Sequence, residues 1–205
     1  MPTALASSRR PLLASPPPAR SLEALALLAA LALAACHAPG PANTAQAKST
    51  EGGPPMKLTT TSFHDAQIPR DYTCDGADRS PQLSWTAPPA NTKSLALLVT
   101  DPDAPAGTWV HWVLFNLPAD TRGLPEALPT QPQLPDGSAQ GVNDFGRLGY
   151  GGPCPPRGSN HRYVFDLYAL DAQLKLLPGA TRAQVEKAMQ GHILGHASLT
   201  ARYGR

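Results

Sequence analysis

Apolar and polar residues alternate along the chain after the Gly- and Pro-rich segment 149–162. Tyr163, Phe165 and Leu167 fall on one side, and Val164, Asp166 and Tyr168 on the other. Alternation of β-branched and aromatic residues predicts a strand with His161 at its mouth. His161 and Tyr163, two positions apart, then share one face of a sheet. Four more stretches read as strands. Residues 58–63 are Thr-rich, 82–85 are short, 94–100 (SLALLVT) form a continuous apolar run, and 109–117 read WVHWVLFNL. In the last of these, strict alternation sets Trp109 and His111 on one face and Val110 and Trp112 on the other. A final strand is expected over 198–203.

A different period appears near the C-terminus. Thr181 followed by Gln184 makes a capping box, and Val185, Ala188, Met189 and His192 or Ile193 recur at helical spacing. The pattern predicts one helix over about 181–194, with Gly191 inside it and Gly195 as the stop. Met189 belongs to the core, and His192 and His196 cap or flank the helix. Residues 118–143 are rich in Pro, Gly, Gln and Asp and read as a meandering loop over one side of the domain. With 24 prolines among 205 residues, long helices are excluded. The fold class is mainly β.

The first 35 residues do not fit this pattern. Arg9, Arg10 and Arg20 precede a run of Ala and Leu over 24–35 that ends in Leu33-Ala34-Ala35-Cys36. Such a run is too short to cross a bilayer and has the layout of an export signal. It resembles the lipobox of bacterial lipoproteins, in which Cys36 is lipidated and becomes the mature N-terminus; an ordinary cleaved signal is the alternative. Residues 36–56 are almost without apolar side chains and read as a disordered tether, and 57–205 as the folded domain. The chain is expected to be exported, anchored in the bacterial envelope by lipid on Cys36 and facing the periplasm. Without Arg9, Arg10, Arg20 and Glu23, the totals of 17 basic and 15 acidic residues fall to 14 each. A neutral domain with no basic patch argues against a nucleic-acid partner.

Spending Cys36 on lipid leaves Cys74 and Cys154 as a pair in an oxidising compartment, which predicts a disulfide between them; two free thiols are the alternative. Neither has a Cys or His neighbour at zinc-site spacing, so no metal is expected.

Candidate chemistry collects at strand ends. Asp101-Pro102-Asp103-Ala104-Pro105 is a strand exit stiffened by two prolines, although an Asx-Pro turn with solvated acids has the same spacing. His111 lies on an apolar strand, where a satisfied core histidine is the plainer reading. Gly146, Gly149, Gly151, Gly152, Pro153, Pro155 and Pro156 surround Cys154 and predict a rigid looped wall leading to His161.

Together, DPDAP at 101–105, WVHW at 109–112, GGPCPPRGSNHRY at 151–163 and the closing GHILGHASLTARY resemble the phosphatidylethanolamine-binding protein family, in its bacterial Raf kinase inhibitor-like branch. The resemblance covers 57–205. It implies two antiparallel sheets with long Pro/Gly-rich loops and a small pocket for phosphate-like anions. The pocket would hold Asp101, His111, His161 and Tyr163, with Gly152 and Pro153 as wall and backbone donor, and Asp103 and Trp109 behind them. The chain stops at Arg205, straight after the final strand, so it is expected to lack the extra C-terminal helix of animal members and to have a more open site. The implied partner is a small anion or a phospholipid head group. No cofactor is expected, a homodimer stays open, and the protein target is unknown.

Two imidazoles and a phenol suit phosphoryl oxygen as hydrogen-bond donors. Asp101 would fix a tautomer, and affinity is expected to rise from about pH 8 to about pH 6 as imidazoles gain protons. The rival readings are a phosphoester hydrolase, with Ser159 or Ser198 as nucleophile, and a protease inhibitor. The first lacks a GxSxG elbow, HExxH or P-loop signature.

Overall fold

The computed structural model describes residues 55–205. The leader 1–35, Cys36 and nearly all of the tether lie outside the described residues. Among the described residues are eight strands, one α-helix and a single 3-10 turn at Arg70–Tyr72: β1 (Leu58–Thr59), β2 (Leu83–Trp85), β3 (Ser94–Asp101), β4 (Trp109–Pro118), β5 (Gly123–Leu124), β6 (Ala139–Gln140), β7 (Asn160–Leu170), α1 (Arg182–Met189) and β8 (Ile193–Gly204). They form two antiparallel sheets, ordered β1-β2-β5 and β6-β4-β3-β7-β8. The fold is mainly β, as the sequence predicts.

The larger sheet is covered on both faces. One face carries Leu95, Leu97, Val99, Trp112, Leu114, Phe165 and Leu167 into a core shared with Leu58, Leu83 and Trp85 of the smaller sheet. The other carries Ala96, Leu98, Val113, Phe115 and Leu170 against Val185 and Met189 of α1. Every residue of β3 is therefore buried. That is why its sequence is a continuous apolar run rather than an alternation.

The ladder between β3 and β4 is irregular near the end of β3. Val99 pairs with Trp112 but Thr100 pairs with Val110, so His111 is an extra residue in β4, a β-bulge. The strict alternation expected for 109–112 fails there. Val110 packs on the α1 side of the sheet and Trp112 on the side facing the small sheet. A second irregularity lies between Leu95 and Leu97, opposite Asn116 at φ 57°. The Asn116 amide donates to Leu174 O (2.9 Å) and accepts from Leu174 N (2.8 Å), tying the loop after β7 to β4.

Three element boundaries differ from the sequence reading by several residues. β1 ends at Thr59 rather than 63, because Thr60 Oγ1 donates to Gln82 O, while Thr61 donates to Gln82 Oε1 through its N (3.1 Å) and its hydroxyl (2.9 Å). Side chains replace the backbone ladder there. α1 starts at the predicted capping box, with both of its bonds formed. It stops at Met189, because Gly191 adopts φ +79° and turns the chain out of the helix. Ile193 and Gly195 consequently belong to β8, five residues longer at its start than expected. Within 118–143, two short strands interrupt the loop, and the buried Gln140 amide latches it to β4. Gln140 accepts from Trp112 Nε1 (3.0 Å) and donates to Pro129 O (2.7 Å) and Gln131 O (2.9 Å).

Cys74 and Cys154 are joined in a disulfide across 80 residues of sequence, with Cα atoms 5.4 Å apart. It fastens the Pro-rich wall to the turn around Arg70–Tyr72. Gly152 is fixed by contact rather than by its φ. A Cβ there would meet Tyr72 O, lie 2.6 Å from Asp78 Oδ1 and 2.8 Å from Thr73 Cα.

Candidate functional site

Where β3, β4 and β7 end, a cleft of about 350 Å³ opens between the 102–106 exit loop and the Cys154-Pro155-Pro156 wall. Asp101, His111 and His161 form its polar floor. Trp109, Phe145 and the Ala and Pro residues of the two loops form an apolar rim.

The floor is a hydrogen-bonded set. Asp101, the last residue of β3, is buried, and both its carboxylate oxygens are used. Oδ1 accepts from Asp103 N at 2.8 Å, and Oδ2 from His161 Nδ1 at 2.7 Å. A carboxylate accepts only, so His161 carries its proton on Nδ1, which leaves Nε2 as the acceptor nitrogen of a ring that lines the cleft. His111 follows the same logic. Its Nδ1 donates to the Gly151 carbonyl at 2.6 Å, while Gly151 N donates back to His111 O at 2.9 Å. The bulge in β4 aims this ring, and Phe145 and Tyr163 hold it edge-on, with centroids 5.4 and 5.1 Å away. Burial lowers the His111 pKa below its ordinary value. Acceptance by the Gly151 carbonyl and the fields of Asp101 and Asp144 oppose that shift without cancelling it.

The other candidate residues lie behind this floor. Tyr163 does not line the cleft. It is buried in the core between the sheets, and its hydroxyl has no partner among the described residues. Burial first, then the Asp101 carboxylate, raises its pKa far above the ordinary phenol range, so it stays neutral. Gly152 and Pro153 also sit behind the lining. The Gly152 N–H, expected to face a ligand, instead donates to Asp78 Oδ1 at 2.6 Å, and Pro153 O accepts from Cys74 N at 3.1 Å. The wall residues that reach the cleft are Cys154, Pro155 and Pro156. Three of the four residues 153–156 are prolines, so Cys154 carries their single N–H, and it has no backbone partner among the described residues.

Asp103 braces the exit loop. It takes a fork of bonds from Arg162 Nε and Nη2, the shortest 2.6 Å, and a further bond from Arg162 N at 2.9 Å. These hold its carboxyl far below the ordinary acid range. Trp109 lines the cleft and stacks edge-on against Phe145 at 5.4 Å, its Nε1 buried without a partner among the described residues. His192 and His196 lie elsewhere, bonded to Asp171 (2.7 Å) and Asp166 (2.8 Å). Neither Ser159 nor Ser198 lines the cleft, and the Ser159 hydroxyl donates to Pro156 O at 2.6 Å. Among the described residues no group of three His, Cys, Asp or Glu is arranged to hold a metal ion.

Phe145 and Asp78 were not visible as site residues in the sequence. An aromatic in the Gly-rich segment 141–152 is a signal for the first, although Tyr150 in the same segment gives the same signal and packs in the core instead. Asp78, at φ 53°, braces the wall through Gly152 N and pairs with Arg147 at 3.2 Å; no local pattern marks it.

Comparison with known proteins bears on the whole domain. The family model described as "Phosphatidylethanolamine-binding protein" matches residues 59–204. A UPF0098 protein of Methanothermobacter thermautotrophicus is 56% identical over 151 residues, covering 73% of this chain and 99% of the relative. The Escherichia coli UPF0098 protein YbhB is 46% identical over 157 residues, covering 72% and 99%. Among solved structures, a phosphatidylethanolamine-binding protein homologue from Chlamydia trachomatis superposes with a TM-score of 0.67 at 39% identity, covering 74% of this chain and 98% of that one. Escherichia coli YbcL, described as a new member of the mammalian family, gives 0.68 at 33% identity, covering 73% and 98%. None of these relatives carries an enzyme's name. On sequence and on fold, the chain belongs to the phosphatidylethanolamine-binding protein family.

Proposed function

We propose that the cleft receives a small phosphate-like anion, free or as a phospholipid head group, and that the domain presents it at the bacterial envelope through lipid on Cys36. One observation carries the reading. Two imidazoles from different strands have Nδ1 engaged within the protein and line one cleft, so Nε2 is the remaining hydrogen-bonding nitrogen of each ring. Each Nε2 is an acceptor while its ring is neutral and becomes a charged donor when the ring gains a proton. A phosphoryl group therefore enters with proton uptake, or brings its own proton. Stiff walls made by prolines and a disulfide keep the ordering cost low.

Calorimetric titration with inorganic phosphate and with phosphoethanolamine tests this. Affinity rises as pH falls from about 8 to 6, and continues to rise below that because the His111 pKa is lowered. His111→Ala and His161→Ala abolish binding. Affinity that is flat with pH, or untouched in both variants, refutes the site. The anchor is tested separately: Cys36→Ser moves the protein from membrane to soluble fractions of the envelope, and an unchanged distribution refutes lipidation.

A further inference from the structure

The Cys74–Cys154 bond lies where the cleft wall meets solvent. Both cysteines are exposed, and Cys154 itself lines the cleft. A cation rests against the bond: Arg205 Nη1 is 3.0 Å from Cys74 Sγ and 3.2 Å from Cys154 Sγ. The guanidinium has one carboxylate nearby, Asp75 Oδ1 at 3.4 Å, and the other oxygen of that group accepts from the Tyr203 hydroxyl at 2.7 Å. Arg205 Nε is buried with no partner among the described residues. A neutral disulfide gains little from such a neighbour. A thiolate gains much, because a positive charge beside the sulfur lowers the thiol pKa and makes it a better leaving group. Lying against both sulfurs, Arg205 is placed to receive the charge on whichever one leaves.

We propose that Cys74–Cys154 is a thiol–disulfide exchange site for a dithiol reductant, and that opening it weakens anion binding in the cleft; the second half rests on the function proposed above. A reductant thiolate attacks one of the two sulfurs and forms a mixed disulfide, while the Cys74–Cys154 bond breaks and its electron pair departs on the other sulfur, beside Arg205. The second thiol of the reductant gives up its proton and attacks the first reductant sulfur, forming the reductant's disulfide as the bond to the protein cysteine breaks and that cysteine departs as a thiolate, which takes up a proton. The protein gains two electrons and two protons as two thiols, and the reductant becomes a disulfide.

Two changes reach the cleft. Besides the bond, the link between the wall and the 70–76 turn includes the hydrogen bond from Cys74 N to Pro153 O (3.1 Å), so reduction loosens the segment that carries the Cys154 N–H and the two rim prolines. Ionisation of the Cys154 thiol, favoured by the Arg205 guanidinium beside it, also adds negative charge to a cleft that already holds Asp101.

The two halves are read separately. Reduction of the folded protein by dithiothreitol is followed by alkylating and weighing the thiols formed. Arg205→Gln slows it by on the order of threefold to tenfold, and Arg205→Lys, which keeps the charge, stays within about twofold of wild type. Equal rates in wild type and Arg205→Gln, or equal slowing in both variants, overturn the exchange site. Inorganic phosphate is then titrated into oxidised and reduced wild type. The expected result is binding about tenfold weaker after reduction, with near-UV circular dichroism retained. Equal affinity overturns the coupling, and so does a loss of affinity accompanied by loss of the near-UV signal, which makes the bond a staple of the whole fold. Oxidised protein that binds no phosphate sinks the anion reading and the coupling with it, while the reduction rates still decide the exchange site.

Discussion

Replacing His111 with asparagine isolates the proton linkage of the cleft. The asparagine amide can keep the donor to the Gly151 carbonyl that His111 Nδ1 supplies, while removing the titrating ring. In the wild type the ring is 2% exposed, and burial lowers its pKa. A histidine with a lowered folded pKa binds fewer protons folded than unfolded between that value and its unfolded one, so stability falls as pH falls through the window. The unfolded ring titrates near pH 6.5. From about pH 6.5 to about pH 5.5 a single ring kept neutral in the folded state therefore removes at most about 1 kcal/mol. Urea unfolding followed by tryptophan fluorescence measures this, with the variant as reference. Wild-type stability should drop relative to His111→Asn by a fraction of a kcal/mol up to that limit. Saturating phosphate should shrink the drop, because the bound anion favours the protonated ring. Asp103 does not confuse the comparison, since its carboxyl titrates far below this window. Parallel pH curves for the two proteins would refute the argument that burial keeps His111 neutral.

The remaining predictions concern the frame of the cleft. Asp101→Asn breaks a charge-assisted bond of 2.7 Å between two buried groups; stability falls by about 2 kcal/mol in urea titration and phosphate affinity by on the order of tenfold. Unchanged affinity alongside lost stability would confine Asp101 to the fold. Gly152→Ala costs about 1 to 3 kcal/mol, since the added Cβ meets backbone atoms of Tyr72 and Thr73 that have nowhere to move; an unchanged urea midpoint contradicts this. Asp103→Asn removes a carboxyl whose folded pKa is lowered, a group that stabilises above its ordinary pKa and ceases to as pH falls below it. The stability gap between wild type and this variant should narrow below about pH 4, and a gap independent of pH rules the linkage out.

How far the sequence reached differs from element to element. β3 and β7 were legible because their patterns arise from burial, continuous for a strand covered on two faces and alternating for its neighbour. The start of α1 was legible because a capping box is local chemistry. Its end was not: Ile193 keeps helical spacing past Gly191, and only the backbone shows that the glycine has turned the chain. The bulge at His111 defeats period-two counting for the same reason, since an inserted residue leaves no trace in apolar spacing. Asp101, His111 and His161 could be picked out as polar groups at strand ends, and the structure brings them to one cleft. The Gly152 N–H could not be followed, because its acceptor, Asp78, lies 74 residues away, and neither could Tyr163, which the sequence set on the ligand's side and the fold sets beneath it.

The three floor residues come from adjacent strands in the middle of the five-stranded sheet, whereas the rim, apart from Trp109 at the start of β4, comes from loops at 102–106, 145 and 154–156. Backbone amides of inner strands exchange with solvent only when large parts of a domain open, while those of loops exchange in local fluctuations. The domain thus sets a floor held by the sheet apart from a rim whose side chains can be changed without touching that sheet. Under the function proposed above, grafting other side chains at Ala104, Ala106 or Phe145 offers a route to new guests that keep an anionic end for the same three groups.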